Sequence, residues 1–321
     1  MRGWHMLVAL GLLFAQAVSA DGLAPQVDTA TFDLGLAARQ LAPGVFVVEG
    51  TNADFSPANG CNIINTGFIV TGAGVLVINT GASRRQGEQL RALIARTTTE
   101  PVVRVLHLNL HPDYFLGNQA FADVPRAATA ATTAGMAREA AAYAANLYRL
   151  CGDWMKGTEP LLPDTPMAAG PLRIGEREFE LLELSGHTDS DLALVDRRSG
   201  VAFVGGLVFA QRVPTTPHAR LDAWFGSLDA LTALAASGIT QFVPSHGPVA
   251  GGAEGIGQTR RYLHWLDASF SAAARQGLEM SEVLALPVPA EYRGWAAFET
   301  EYVRNVAHLY PRYEQRALKG R

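Results

Sequence analysis

The stretch VLHLNLHPDYFLGN, from Val105 to Asn118, is the part of the sequence that decides the fold. It overlaps an apolar run, Val102 to Leu110, that predicts a buried strand. Pro112 ends this strand, because proline lacks a backbone donor and has a fixed φ angle. We therefore expect polar chemistry at the end of a central strand.

Alternation along the predicted strand places His107, Asn109 and His111 on one face, and Asp113 and Tyr114 follow on the next loop. Imidazole and carboxylate groups are the usual zinc ligands outside thiolate sites, and a catalytic zinc keeps one position open for water. The alternative is that His111 only caps the strand and hydrogen-bonds a carbonyl group. Because His-x-Asp recurs by chance, the pattern leaves both interpretations open.

Several other motifs give this pattern a family context. Residues 109–118, Asn-x-His-Pro-Asp-Tyr-x-x-Gly-Asn, resemble the His-x-His-x-Asp-His signature of the metallo-β-lactamase superfamily. The other landmarks of that superfamily stand in the right order: a hairpin ending in VLVINTG at 75–81, SGHT at 185–188, VGGL at 204–207 and PSHGP at 244–248. The resemblance implies an α/β fold, the metallo-β-lactamase αββα four-layer sandwich, with a C-terminal helical extension.

The same resemblance assigns the ligand positions of a metal site. The positions that bind the family's two metals map to Asn109, His111 and His187 in the first site, and to Asp113, Tyr114, His246 and Gly206 in the second. Four of these keep ligating side chains, namely His111, Asp113, His187 and His246. The set implies one zinc ion rather than two, with Asn109 and His218 as candidates for a further ligand. Asn79 replaces the aspartate of the family's Asp-Thr-Gly turn, and His107 is expected to be a core histidine.

Two hypotheses for function follow from the resemblance. In the first, the protein is a metal-dependent hydrolase of a small carbonyl compound, an ester, thioester or amide, and zinc activates the attacking water. Asp113 would orient that water and carry its proton, and Tyr114 would donate a hydrogen bond to the oxyanion. In the second, the protein is a metal-poor accessory or binding protein that holds a quinone, a metabolite or a quinoprotein in the same cleft.

Three segments resemble a particular branch of the superfamily. NIINTGFIV at 62–70, HPDYFLGNQAF at 111–121 and Phe-Glu-x-Glu-Tyr-x-x-Asn-Val at 298–306 are similar to periplasmic quinoprotein-relay and sulfur-oxidation-linked zinc metallohydrolases. Those proteins accompany pyrroloquinoline-quinone-dependent oxidation of alcohols. The resemblance implies a periplasmic quinoprotein as a partner, and it leaves the substrate unnamed.

The N-terminal segment, the C-terminal segment and the composition predict the compartment of the protein and how the chain divides into domains. Residues 1–20 carry one early arginine, an apolar core and Val-Ser-Ala, which predicts a cleaved signal peptide and a periplasmic or secreted protein, with a retained anchor as the alternative. We expect the family fold over residues 21–265 and a helical extension over 266–321, with no membrane span in the mature chain.

A net charge of −4 without a basic cluster argues against nucleic acid as a partner.

The remaining sequence leaves two alternatives open. In an oxidising compartment Cys61 and Cys151 form either one disulfide or two buried thiols. Trp154 and Met155, on the loop that follows an alanine-rich helix, either border the substrate or pack in the core.

Overall fold

The computed structural model describes residues 32–319, so the predicted signal peptide lies outside the described residues. The first of its two sheets is built from the N-terminal half of the chain. Its strands in spatial order are β1 (Arg39–Ala42), β2 (Val45–Val48), β3 (Thr66–Val70), β4 (Val75–Ile78), β5 (Val102–Leu106), β6 (Arg126–Ala128) and β7 (Thr165–Pro166). Pairing is antiparallel from β1 to β4 and parallel from β4 to β7.

The second sheet has its strands in reverse spatial order from β12 to β8. These strands are β8 (Gly170–Ile174), β9 (Arg177–Leu184), β10 (Asp191–Asp196), β11 (Val201–Phe209) and β12 (Gln241–His246). All pairs are antiparallel except β11 and β12, which are parallel because a helix connects them.

The chain forms eight helices within the described residues, of which the first, fourth, fifth and eighth cover the outer faces of the sheets. They are α1 (Arg84–Thr97), α2 (Pro112–Phe115), α3 (Ala130–Cys151), α4 (Leu221–Ala236), α5 (Glu254–Gln276), α6 (Met280–Leu284), α7 (Ala290–Arg293) and α8 (Phe298–Lys319). Ser83 caps α1, since its Oγ accepts from the backbone N–H of Gln86 at 3.1 Å. Within the described part of the chain, no helix is both long and apolar enough to span a membrane.

Apolar side chains divide into layers that match the predicted sandwich. One cluster, which includes Ile69 and Leu194, fills the space between the two sheets. A second joins α1 to the outer face of the first sheet, and a third joins α4, α5 and α8 to the outer face of the second. The predicted four-layer αββα fold with a C-terminal helical part is therefore confirmed. Helix α5 runs without a break across residues 265 and 266, where the sequence suggested a division.

The central strand is shorter than predicted. The expected strand Val102 to Leu110 ends at Leu106. Beyond it, the Asn79 side chain accepts from the N–H of Leu108 at 3.1 Å. The carbonyl of Leu108 accepts from the N–H of Leu192, in the second sheet, at 2.7 Å. The chain therefore leaves the first sheet and crosses to the other, so the prediction that His107, Asn109 and His111 share one strand face is wrong.

Cys61 and Cys151 form a disulfide, which decides between the two alternatives for these residues. Their Cα atoms lie 6.0 Å apart, within the usual range for such a bond. The bond ties the loop after β2 to the last residue of α3. Met155 packs beside it in a buried cluster, and the Trp154 indole donates to the carbonyl of Pro57 at 2.9 Å, so both side chains serve packing.

Candidate active site

A cleft of about 420 Å³ lies where strands of both sheets end. From the first sheet, the chain beyond β5 brings His111 and Asp113, and from the second, His246 is the last residue of β12. His246 is therefore held by the strand itself rather than by the loop that follows it. Helix α3 supplies one side of the cleft and α8 another.

Asp113 and His246 form the first of two polar pairs. Asp113 Oδ2 lies 3.4 Å from His246 Nε2, and this oxygen has no hydrogen-bond partner although it is buried. His246 Nδ1 lies 2.8 Å from the carbonyl oxygen of Ile63, and because a carbonyl only accepts, Nδ1 carries the proton. Nε2 is then an acceptor that faces a carboxyl oxygen, so the contact needs a proton between the two atoms.

The electrostatic environment places that proton on Asp113. Burial raises the pKa of Asp113 to about 7, because a buried charge loses its hydration. Burial, together with the charge of Arg212, holds the pKa of His246 well below its ordinary range, so the imidazole is neutral. A carboxyl group that titrates near neutral pH beside an unprotonated imidazole is suited to proton transfer.

His111 and His187 form the second pair. His111 Nδ1 and His187 Nε2 lie 3.1 Å apart, and one of them donates to the other. Burial lowers the pKa of both imidazoles, that of His187 to about 3, so both are neutral. His111 Nε2 has no hydrogen-bond partner, and the side chain lines the cleft.

Gly206 lies directly beneath the His187 ring. A Cβ at this position would stand 2.1 Å from Cδ2 and 2.5 Å from Nε2 of His187, and 2.7 Å from Nδ2 of Asn109. Real Cβ atoms do not make such contacts, so the imidazole fills the space that a side chain at 206 would need.

The other predicted site residues lie outside these two pairs. Asn109 is buried; its Oδ1 accepts from the N–H of His111 at 3.0 Å and its Nδ2 lies 3.5 Å from Asp191. Tyr114 packs in the core between the two sheets and is not among the described residues that line the cleft.

His218 does line the cleft, and its Nε2 lies 3.3 Å from the hydroxyl of Tyr143. His107 is a core histidine, hydrogen-bonded to the carbonyl of Tyr114 at 3.0 Å.

Sequence reasoning missed the charged residues of the cleft. Arg212, Glu301 and Arg304 line it, the last two from α8. Glu301 lies within the segment 298–306 that the sequence singles out, which was a usable signal. Arg212 carries no comparable sequence signal, because it follows β11 in an irregular loop.

Comparisons with known proteins agree with this fold. A profile of the metallo-beta-lactamase superfamily matches residues 59–246, more than half of the chain. The chain belongs to the metallo-β-lactamase superfamily. Solved metallo-β-lactamases share the fold, among them the enzyme from Pontibacter korlensis, with a TM-score of 0.58 and 22% identity over 71% of this chain and 99% of that one. FIM-1 from Pseudomonas aeruginosa, in its mono-zinc form, matches with a TM-score of 0.56 and 17% identity over 71% of this chain and 95% of the other. No curated protein sequence matches the chain.

The superfamily membership implies zinc, which a catalytic site holds with three protein ligands. Within residues 32–319, however, no three His, Cys, Asp or Glu side chains form a group that could hold a metal ion. The four predicted ligands instead form two pairs. In the position of the bridging ligand of the superfamily, Gly206 offers no ligand and no room for one. The described residues therefore do not fit a zinc site with three protein ligands.

Proposed function

We propose that this protein is a hydrolase of small carbonyl compounds, the class of esters, thioesters and amides, in which Asp113 activates the attacking water. The observation that carries the proposal is the Asp113–His246 pair, whose facing atoms lie 3.4 Å apart in a cleft large enough for a small molecule. Membership of a superfamily that consists largely of hydrolases supports it.

The pair can move the protons that hydrolysis requires. The Asp113 carboxylate accepts a proton from water as the water oxygen bonds to the carbonyl carbon, and the protonated carboxyl then returns the proton to the leaving group. His246 cannot rotate freely, since Ile63 holds its other nitrogen. The imidazole therefore offers the Asp113 carboxyl a fixed acceptor whenever that group is protonated. His111 Nε2, free of other partners, is available to hold the substrate or the water.

The proposal includes the periplasm as the location. The predicted signal peptide supports it, as does the Cys61–Cys151 disulfide, because disulfides persist in oxidising compartments. The link to a quinoprotein rests on the resemblance of three sequence segments, and we include it as the physiological setting of the proposed hydrolase.

One observation favours a second candidate function, a binding protein without catalysis. The ligands form two pairs rather than a metal-holding group, so the cleft has lost the usual catalytic machinery of the superfamily. In that case the same cleft would hold a quinone, a metabolite or a quinoprotein segment and release it unchanged.

Hydrolysis by protein purified from the periplasm without added metal or chelator distinguishes the two functions. We expect turnover of at least one class among nitrophenyl esters, acyl thioesters and a chromogenic β-lactam, with metal content well below one zinc per chain by mass spectrometry. Asp113→Asn should abolish turnover, and Asp229→Asn, a matched change at an exposed ion pair on α4, should not. No turnover of any class by folded protein would favour the binding function. One zinc per chain, required for turnover, would contradict the proposed water activation.

A further inference from the structure

A second cavity, which we call the outer pocket, lies between α4, α5 and α8 and has a volume of about 370 Å³. Arg220 and Phe225 line it at the N-terminal end of α4, and Leu309, Arg312 and Arg316 line it from α8. None of the described residues that line the outer pocket also lines the cleft. Its volume is that of a site for a small organic molecule, so it is a candidate for a ligand other than the substrate.

Two arginines of α8 supply positive charge to the outer pocket. Arg312 and Arg316 are four residues apart, so their side chains lie on the same face of the helix. Arg312 Nη1 donates to the carbonyl of Ala219 at 2.6 Å, which holds the guanidinium at the pocket. The guanidinium of Arg316 lies over the Tyr313 ring, 5.6 Å from its centroid. Neither contact is an ion pair, so both arginines keep hydrogen-bond donors for an anion.

A third arginine and two aspartates complete the charged lining of the outer pocket. The Nε atom of Arg220 lies 3.9 Å from Asp189 Oδ1, beyond hydrogen-bond distance. The aspartates of the lining are Asp222 and Asp267, and Asp267 accepts from the hydroxyl of Tyr313 at 2.6 Å. Three arginines against two aspartates leave the outer pocket with a net positive charge, which favours an anionic ligand.

The rest of the lining is largely apolar. Leu221, Phe225 and Leu309 contribute to it, and the Phe225 ring stacks on His264 with the ring centroids 4.1 Å apart. A ligand that contacts both kinds of lining has an apolar body and an anionic head. Carboxylate and phosphate heads both suit a guanidinium, because its planar fork donates two parallel hydrogen bonds to either group.

We propose that the outer pocket binds a small organic anion with an apolar body and a carboxylate or phosphate head, held by Arg312 and Arg316. This inference goes beyond the proposed function and does not rest on it, since the outer pocket is separate from the cleft. Helix α8 lies outside residues 59–246, so these arginines are not part of the matched superfamily profile. Residues 217–220 separate the two cavities, because the first two line the cleft and the last two line the outer pocket. A ligand of the outer pocket would therefore contact the segment that carries His218 into the cleft.

Calorimetric titration of the protein with three phenyl compounds tests the proposal without any turnover. The compounds are 3-phenylpropionate, phenyl phosphate and the neutral 3-phenylpropionamide. The wild type should bind at least one of the two acids about tenfold more tightly than the amide, since a hydrogen bond to a charged group accounts for a difference of that size. The acid that binds more tightly identifies the head group. Binding of neither acid, or equal affinity for acids and amide, would overturn the proposal.

Variants locate the bound acid. Arg316→Gln removes the charge of an exposed side chain, so it should weaken binding of the preferred acid by about fivefold or more and leave Tm unchanged. Arg312→Gln should weaken binding by a similar factor. Arg198→Gln, the matched change on the exposed turn between β10 and β11, should bind like the wild type. Asp113→Asn should also bind like the wild type, because its side chain lies in the cleft.

Two results would contradict the location. Unchanged binding in Arg316→Gln would show that the arginines of α8 do not hold the acid, and this variant decides the matter if Arg312→Gln fails to fold. Weaker binding in Asp113→Asn would place the acid in the cleft instead of the outer pocket.

Discussion

The imidazole of His187 occupies the space above Gly206, with Nε2 2.5 Å from the point where a Cβ would stand. A methyl group at 206 must displace the ring and break its contact with His111. We expect Gly206→Ala to lower the free energy of unfolding by about 1–3 kcal/mol, the usual cost of overpacking a core. Urea denaturation followed by circular dichroism measures this change.

Gly226→Ala is the matched control, because this glycine lies within α4 and a Cβ there meets nothing within 4 Å. It should leave stability unchanged or raise it by up to about 1 kcal/mol, since alanine favours a helix over glycine. If Gly206→Ala were as stable as Gly226→Ala, His187 would have room to move, and the close packing of its ring against Gly206 would be incorrect.

Hydrolysis should depend on pH through Asp113. The active form is the carboxylate, and burial raises the pKa of this group to about 7. The rate should therefore rise as the pH increases through about 7 and level off above it. His246 contributes no step near neutral pH, because burial holds its pKa well below its ordinary range. A rate profile of kcat/KM from pH 5 to 9 checks this, and a flat profile would exclude Asp113 as the base.

The disulfide should stabilise the fold substantially. Cys61 and Cys151 enclose a separation of 90 residues, so the bond restricts the unfolded chain strongly. We expect the Cys61→Ser, Cys151→Ser double variant to lose about 2–5 kcal/mol of unfolding free energy. Denaturation of the wild type with and without a reducing agent provides the comparison. The double variant should show no effect of the reducing agent, and a wild type insensitive to reduction would contradict the role given to this bond.

Acid should destabilise the protein through buried histidines such as His107. Burial lowers the pKa of His107 to about 4, so between that pH and 6.5 the unfolded chain binds a proton that the folded one does not. Stability is therefore complete above pH 6.5 and falls as the pH decreases, by roughly 3 kcal/mol from this residue alone. His107→Asn should make the dependence of Tm on pH between 4 and 6.5 shallower than in the wild type. An identical dependence in both proteins would show that His107 is accessible to protons when folded.

The sequence predicts the fold well where local signals and layer geometry agree. The hairpin that ends in the motif at 75–81 appears as expected, because turn glycines act locally. The end of the central strand could not be predicted in the same way. It depends on Asn79, whose backbone has a φ of 58° and whose side chain accepts from the N–H of Leu108, a contact between residues that follow two different strands.

The candidate site was predictable residue by residue but not in its arrangement. His111, Asp113 and His246 do reach one cleft, and His187 contacts His111 at 3.1 Å. The place of His187 depends on Gly206, which leaves the imidazole ring the space that a side chain at this position would need. Arg212 could not be found from sequence, because its place in the cleft depends on the packing of a loop against the distant helix α8.

The Asp113–His246 contact joins one residue that follows the first sheet to one that ends the second. Neither sheet carries both residues, so the proposed proton transfer depends on how the two sheets are aligned. A conservative substitution deep in the core between the sheets, far from any substrate, alters this 3.4 Å contact as soon as it shifts one sheet against the other. A measurement of the reaction rate would then detect a misalignment of the sheets that a melting curve does not detect.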